Sequence, residues 1–105
     1  MSERKFVSVA SVADLPLGAK KALVVEGWPV LLCHTSEGLF AVSAICSHAY
    51  EPLECGRMKA GWIACPVHGA RFELATGKAL NPPAFQPIAT YQTRVSGDTI
   101  EIALP

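Results

Sequence analysis

The sequence predicts an all-β protein built from small antiparallel sheets, and two observations carry that prediction. Pro, Gly, Asn, Asp or Ser recurs at intervals of roughly eight to twelve residues, which is the spacing of turns between short strands. The apolar runs between these turns are short, and none keeps a helical period of about 3.6 residues over a long stretch. Short strands joined by tight turns favour small packed sheets or a barrel.

The first half of the chain is predicted to form four strands. A loop with room for one helical turn covers 14–18, and Gly27 separates the second strand from the third. Ser36-Glu37-Gly38 is predicted to be a hairpin turn. The predicted strands are 5–10, 20–26, 29–35 and 39–45.

The second half is predicted to form two further pairs of strands. Thr76-Gly77 is a turn after the first pair, and Ser96-Gly97-Asp98 closes the last hairpin. Asn81-Pro82-Pro83 is predicted to be a loop, because proline cannot donate a hydrogen bond to a β-ladder. The predicted pairs are 60–64 with 70–74, and 88–95 with 99–104.

Length, charge and hydropathy exclude several classes of protein. A chain of 105 residues is predicted to be one domain, 1–105. Its 9 basic and 9 acidic side chains leave no net charge, which argues against nucleic-acid binding. No apolar run can span a membrane, and Ser8 and Ser11 interrupt the N-terminal apolar stretch, which favours a strand over a signal peptide. We therefore expect a cytoplasmic protein, in whose reducing compartment 4 cysteines indicate metal binding more than disulfides.

Two short segments carry the residues that can bind a metal. The first is Cys46-Ser47-His48, and the second is Cys65-Pro66-Val67-His68. Each brings one thiolate and one imidazole, so the two together offer two sulfur and two nitrogen ligands. Such a set suits a tetrahedral zinc ion, a mononuclear iron or a Rieske-type [2Fe-2S] cluster.

The distribution of these ligands favours the cluster. Zinc fingers commonly place like ligands close together, with Cys near Cys and His near His. In a Rieske centre two Cys bind one iron and two His bind the other. One Cys and one His on each segment therefore suit that cluster, and zinc is the less favoured alternative.

On these motifs the sequence resembles the Rieske [2Fe-2S] proteins over nearly the whole chain. Cys46-Ser47-His48 is similar to the family's Cys-x-His motif. Residues 65–72 are similar to its Cys-x-x-His-Gly-x-x-Phe motif. Thr76-Gly77 and Pro82-Pro83 resemble the turn and the proline loop that follow it, the latter covering the cluster from a third side.

The resemblance implies a fold and a set of ligands. The fold is the all-β Rieske fold, with a cluster-binding lobe of about 44–84 inserted in a base lobe of 1–43 and 85–105. The cofactor is one [2Fe-2S] cluster of Rieske type. Cys46 and Cys65 would hold its buried ferric iron, and His48 and His68 would hold the outer iron, which is the one reduced.

The chain lacks side chains that are typical of high-potential Rieske proteins. High-potential members carry a disulfide between the ligand loops, and hydroxyl groups that hydrogen-bond the sulfurs. This chain has Glu51 and Val67 at the disulfide positions, and Ala70 and Phe72 at the hydroxyl positions. Fewer donors to the sulfurs predict a potential near the low end of the Rieske range, about −150 mV.

The number of histidines excludes oxygen activation by this chain. An oxygenase iron of the facial-triad type needs two His and one carboxylate. The chain has 3 His, of which the cluster takes two, so only His34 remains. We therefore predict a one-electron carrier and not an enzyme, and the resemblance implies that it is the electron-transfer component of an oxygenase system.

The resemblance implies a soluble, monomeric Rieske ferredoxin of the ring-hydroxylating dioxygenase type. It would pass single electrons from an NAD(P)H-dependent flavoprotein reductase to a terminal oxygenase, with no contact to nucleic acid or membrane. Two alternatives stay open. One is a Rieske module of another system, such as the small subunit of a nitrite reductase, and the other is a Cys2His2 zinc module that binds a protein.

The remaining polar and sulfur side chains are assigned to packing or to the surface. Cys33 and Cys55 are predicted to pack inside, and His34 to be solvated beside a hairpin turn. Around the two ligand histidines we predict an uncharged docking face for a redox partner, here called the collar, with ordinary loop packing as the alternative. Its residues are Ala49, Tyr50, Gly69, Ala70, Pro82 and Pro83.

Overall fold

A computed structural model describes residues 5–47, 50–67, 69–82, 84 and 86–105, which form nine strands and one 3-10 helix, Val12–Asp14. The prediction of an all-β protein is confirmed. Within the described residues no helix has the length and apolar character to cross a membrane. The strands are β1 (Phe6–Ser11), β2 (Lys20–Val25), β3 (Trp28–Thr35), β4 (Gly38–Ser43), β5 (Trp62–Ala64), β6 (Arg71–Glu73), β7 (Thr90–Tyr91), β8 (Thr93–Ser96) and β9 (Thr99–Ala103).

The strands form three sheets, and all of their pairings are antiparallel. One sheet has the order β1-β9-β8, the second has the order β2-β3-β4-β7, and the third is the pair β5-β6. Glu26 and Gly27 join β2 to β3 with positive φ angles of 49° and 88°. Two left-handed residues match the twist of a tight hairpin, which explains why glycine stands there.

Strand β3 is buried on both faces, which explains its continuous apolar run. Successive side chains of a strand point to opposite faces. Val30 therefore packs in one core with Ile102 of β9, whereas Leu31 packs in a second core with Phe72 of β6. The four-stranded sheet thus lies between the other two sheets.

The predicted strand 88–95 is wrong as a single element. Thr90–Tyr91 pair with β4, whereas Thr93–Ser96 pair with β9 in a different sheet. At the break the carbonyl of Gln92 accepts a hydrogen bond from the amide of Ala103 at 2.9 Å. The chain therefore changes sheets at Gln92, and the predicted final hairpin is confined to β8 and β9.

The segment 44–89 between β4 and β7 holds both metal-binding motifs, and side chains of the four-stranded sheet bind its backbone. Lys20 of β2 is half-buried and its Nζ donates to the carbonyl of Gly56. Thr35, buried at the end of β3, donates from Oγ1 to the carbonyl of Ala60 at 2.7 Å. These bonds hold the residues between the two motifs against the sheet.

Candidate metal centre

The first motif begins just after β4, in a loop closed by its own backbone. Ile45 and Pro52 form an isolated antiparallel bridge across the base of the loop. Inside it the amide of Cys46 donates to the carbonyl of Glu51 at 2.8 Å, and the amide of Tyr50 donates to the carbonyl of Cys46 at 2.8 Å. Cys46 is fully buried.

The second motif begins directly after β5 and ends where β6 starts. The amide of Cys65 donates to the carbonyl of Ala70 at 2.6 Å, and the amide of Gly69 donates to the carbonyl of Cys65 at 3.2 Å. Cys65 is also buried. The second loop is thus the turn of a short β-hairpin.

The two loops have the same backbone design. In each, the cysteine amide bonds the carbonyl five residues later, and the cysteine carbonyl accepts the amide four residues later. The residue four positions after the cysteine is left-handed in both loops, with φ of 54° at Tyr50 and 70° at Gly69. Glycine suits this conformation, whereas a residue with a Cβ is disfavoured there by roughly 1–2 kcal/mol. The sequence motifs gave no signal for this strained position at Tyr50.

The two loops bring the cysteines of the motifs together. Neither Cys46 nor Cys65 is in a disulfide, although their side chains are within hydrogen-bond contact. Burial raises the pKa of the Cys65 thiol above its ordinary value, a backbone hydrogen bond at Val67 lowers it, and the adjacent Cys46 raises it further. Two buried thiols that are adjacent without forming a disulfide fit a pair of thiolate ligands to one iron, because a bound metal stabilises the thiolates that burial disfavours.

The two histidines of the motifs, His48 and His68, lie outside the described residues. The structure therefore assembles the sulfur half of the proposed ligand set. The complete set of Cys46, His48, Cys65 and His68 stays a prediction.

The hydroxyl of Ser47, inside the first motif, contacts the segment that follows the predicted proline loop. Ser47 Oγ donates to the carbonyl of Gln86 at 2.7 Å. The same region is anchored at Ile88, whose amide donates to the carbonyl of Gly77 at 2.8 Å. Ser47 thus links the first ligand loop to Gln86, beyond the proline loop, of which Pro82 is exposed and Pro83 lies outside the described residues. A small hydroxyl residue between the ligands was the available signal for this link.

The collar is only partly exposed. Tyr50 is 80% exposed, and Gly69 and Pro82 are also on the surface. Ala70, however, is fully buried behind the second loop, so its assignment to a docking face is wrong. Ala49, another member, lies outside the described residues.

The other sulfur and histidine assignments have mixed outcomes. Cys33 is buried as predicted, and burial raises the pKa of its thiol to about 12, although the charge of Lys20 acts against this. Cys55 is exposed, so its assignment to internal packing is wrong. His34 is half-buried rather than solvated, and its Nδ1 donates to the carbonyl of Leu15 at 2.8 Å.

Comparison with known sequences gives one family and several relatives of similar length. The Rieske [2Fe-2S] domain model matches residues 5–92. The 3-phenylpropionate/cinnamic acid dioxygenase ferredoxin subunit of Escherichia coli (strain K12) is 40% identical over 90% of this chain and 89% of that protein. The ferredoxin component of the naphthalene 1,2-dioxygenase system of Pseudomonas aeruginosa is 29% identical over 95% of this chain and 96% of that protein.

Solved structures share the fold. The ferredoxin of carbazole 1,9a-dioxygenase from Nocardioides aromaticivorans IC177 superposes with a TM-score of 0.88 at 33% identity, over 93% of this chain and 96% of that chain. A chain from a complex of reduced oxygenase and oxidized ferredoxin in carbazole 1,9a-dioxygenase has a TM-score of 0.87 at 22% identity, over 96% and 94%. A nitrite reductase small subunit from Mycobacterium tuberculosis has a TM-score of 0.83 at 18% identity, over 99% and 98%. The last two share the fold alone.

Proposed function

The chain belongs to the Rieske [2Fe-2S] domain family, and from that premise we propose that it is the ferredoxin of a multicomponent aromatic-ring dioxygenase. The predicted Rieske fold, the [2Fe-2S] cofactor and the role of electron carrier rather than enzyme are confirmed. The observation that carries the proposal is the match to a ferredoxin subunit of a dioxygenase at 40% identity over 90% of the chain.

The two cysteines and the two histidines of the motifs would bind different irons of the cofactor. When bound, a Rieske cluster supplies a one-electron redox couple. Cys46 and Cys65 would hold the inner iron, and their burial keeps water from the thiolates. His48 and His68 would hold the outer iron, so that their imidazole edges offer the exit for the electron. The division into a cluster-binding lobe of 44–84 and a base lobe remains part of this proposal.

The proposed function as a dioxygenase ferredoxin implies two redox partners. A flavoprotein reductase that oxidises NAD(P)H would donate the electron, and a terminal oxygenase would accept it, with the ferredoxin acting as a cytoplasmic monomer between them. The alternative as a nitrite reductase subunit is weaker, because the solved example shares only the fold at 18% identity. The zinc alternative is set aside by the family match.

Reconstitution with purified components tests the proposal. A flavoprotein reductase and a terminal aromatic-ring dioxygenase are mixed with NAD(P)H, with and without the holoprotein. We expect reduction of the oxygenase cluster, seen by electron paramagnetic resonance, only when the ferredoxin is present. Reduction of a siroheme nitrite reductase, with no transfer to the oxygenase, would refute the dioxygenase assignment.

A buried position in the second loop tests the predicted low potential. Ala70 is fully buried and has no hydroxyl, while its carbonyl binds the amide of Cys65. We expect Ala70→Ser to raise the midpoint potential by roughly 40 mV, which corresponds to about 1 kcal/mol for one electron. Protein-film voltammetry measures the shift, and Ala41→Ser, at a buried alanine in the other core, is the matched control. Equal shifts in both variants, or a wild-type potential far above zero, would contradict the interpretation.

A further inference from the structure

A groove of about 590 Å³ lies beside the second ligand loop. Cys65 and Pro66 form part of its wall, together with Trp62 of β5. Arg57 and Arg71 also line it, and its lining within the described part of the chain includes no aspartate or glutamate. The groove therefore combines two positive charges with direct contact to a cysteine-bearing loop.

Arg71 is held in place by two neighbours. Its Nε donates to Oδ1 of Asn81 at 3.3 Å, and its guanidinium carbon lies 5.3 Å from the centroid of the Trp62 ring. Asn81 is itself fixed, because Oδ1 accepts the Arg71 amide at 2.9 Å and Nδ2 donates to the carbonyl of Pro82 at 3.0 Å. Asn81 therefore accepts the hydrogen bond of Arg71 Nε. The two terminal nitrogens of the Arg71 guanidinium can still donate two hydrogen bonds to one carboxylate.

Neither arginine of the groove has an acidic partner among the described residues. The ion pair found among the described residues joins Arg94 to Glu101 on the β8-β9 hairpin. The protein has no net charge overall, whereas the described lining of the groove carries two positive side chains and no negative one. A guanidinium that is preorganised, exposed and unpaired is suited to an ion pair with another molecule.

We propose that the groove of Arg57 and Arg71 receives an acidic side chain of the terminal oxygenase and fixes how the oxygenase docks beside the cluster. The proposal rests on the proposed function. The oxygenase is chosen over the reductase because a chain with this fold occurs in a complex of an oxygenase and a ferredoxin. A carboxylate bound at Arg71 sets the oxygenase against the loop that begins at Cys65.

Binding of the two oxidised holoproteins tests the proposal, because no driving force for electron transfer enters the measurement. We expect Arg71→Gln to raise the dissociation constant for the oxygenase about five- to tenfold at low salt. Arg57→Gln should have a smaller effect, and Arg71→Lys should keep part of the affinity, since it keeps the charge but not the fork. The affinity of Arg71→Gln should also depend less on salt than that of the wild type.

Arg94→Gln is the matched control, because it removes the same charge from the paired arginine on the β8-β9 hairpin. It should bind the oxygenase like the wild type. Equal affinities of Arg71→Gln and Arg94→Gln would overturn the groove proposal alone, as would a loss of affinity for the reductase instead of the oxygenase. An altered visible spectrum in Arg71→Gln would show a structural role and overturn it as well. A wild-type protein that does not bind the oxygenase would overturn the proposed function together with the groove.

Discussion

Replacement of Cys46 or Cys65 by serine is expected to abolish binding of the iron–sulfur cluster. Both side chains are buried and adjacent, and a serine hydroxyl is a poor ligand for iron compared with a thiolate. The purified variants should lose essentially all iron and acid-labile sulfide, together with the visible absorption of the cluster. Iron and sulfide assays on the purified proteins measure this directly.

The other two cysteines provide the controls for that experiment. Cys55→Ser changes an exposed side chain and should retain a full complement of iron and sulfide. Cys33→Ser places a hydroxyl in the core, and should lower stability while keeping the cluster. Loss of the cluster in either control, with retention in Cys46→Ser, would show that the ligand assignment is wrong.

Substitution of Gly77 by alanine is expected to destabilise the fold more than most single changes. Gly77 has a φ of 78°, and a Cβ there would lie 2.0 Å from the carbonyl oxygen of Ile88. The same two residues are joined by the hydrogen bond from the Ile88 amide to the Gly77 carbonyl, so neither backbone can move away without breaking it. We expect a loss of at least about 4 kcal/mol in the free energy of unfolding, measured by urea denaturation of the holoprotein.

Gly97→Ala is the control that separates the effect of the steric clash at Gly77 from the effect of a left-handed backbone. Gly97 also has a positive φ, of 61°, but a Cβ there meets nothing within 4 Å. Its substitution should therefore lower the free energy of unfolding by about 1–2 kcal/mol, which is the cost of a left-handed backbone at a residue with a Cβ. Similar losses in the two variants would mean that the contact with Ile88 relaxes and that the close approach is not needed.

The regular part of the fold was predictable because its causes are local. The hairpin of β3 and β4 follows from two apolar runs and the turn at Ser36 and Glu37, directly before Gly38 of β4. The turn at Thr76 follows from local hydrogen bonds, since its Oγ1 donates to Glu73 and accepts from the amide of Lys78. Each predicted ligand motif is likewise contained in a single loop, so both could be identified from the sequence as candidates.

What could not be predicted depends on contacts between distant parts of the chain. The division of 88–95 into β7 and β8 depends on which strand each half meets, and the apolar pattern does not specify that. The exposure of Cys55 and the burial of Ala70 depend on how the loops fold back onto the sheet. The hydrogen bond from Arg71 to Asn81 joins residues ten positions apart across a turn, and no sequence motif indicates it.

Strands β4 and β7 are neighbours in the four-stranded sheet, so the chain leaves that sheet after Ser43 and returns to it at Thr90 one strand further along. Neighbouring strands lie about 4.8 Å apart, and their ladder therefore holds the two ends of 44–89 together. The entropy of loop closure grows only with the logarithm of length, by about 0.6 kcal/mol for each doubling. The entropy of closing the sheet should consequently change by less than about 0.6 kcal/mol when a few residues are added at exposed turns of 44–89 that contact neither the core nor the two motifs.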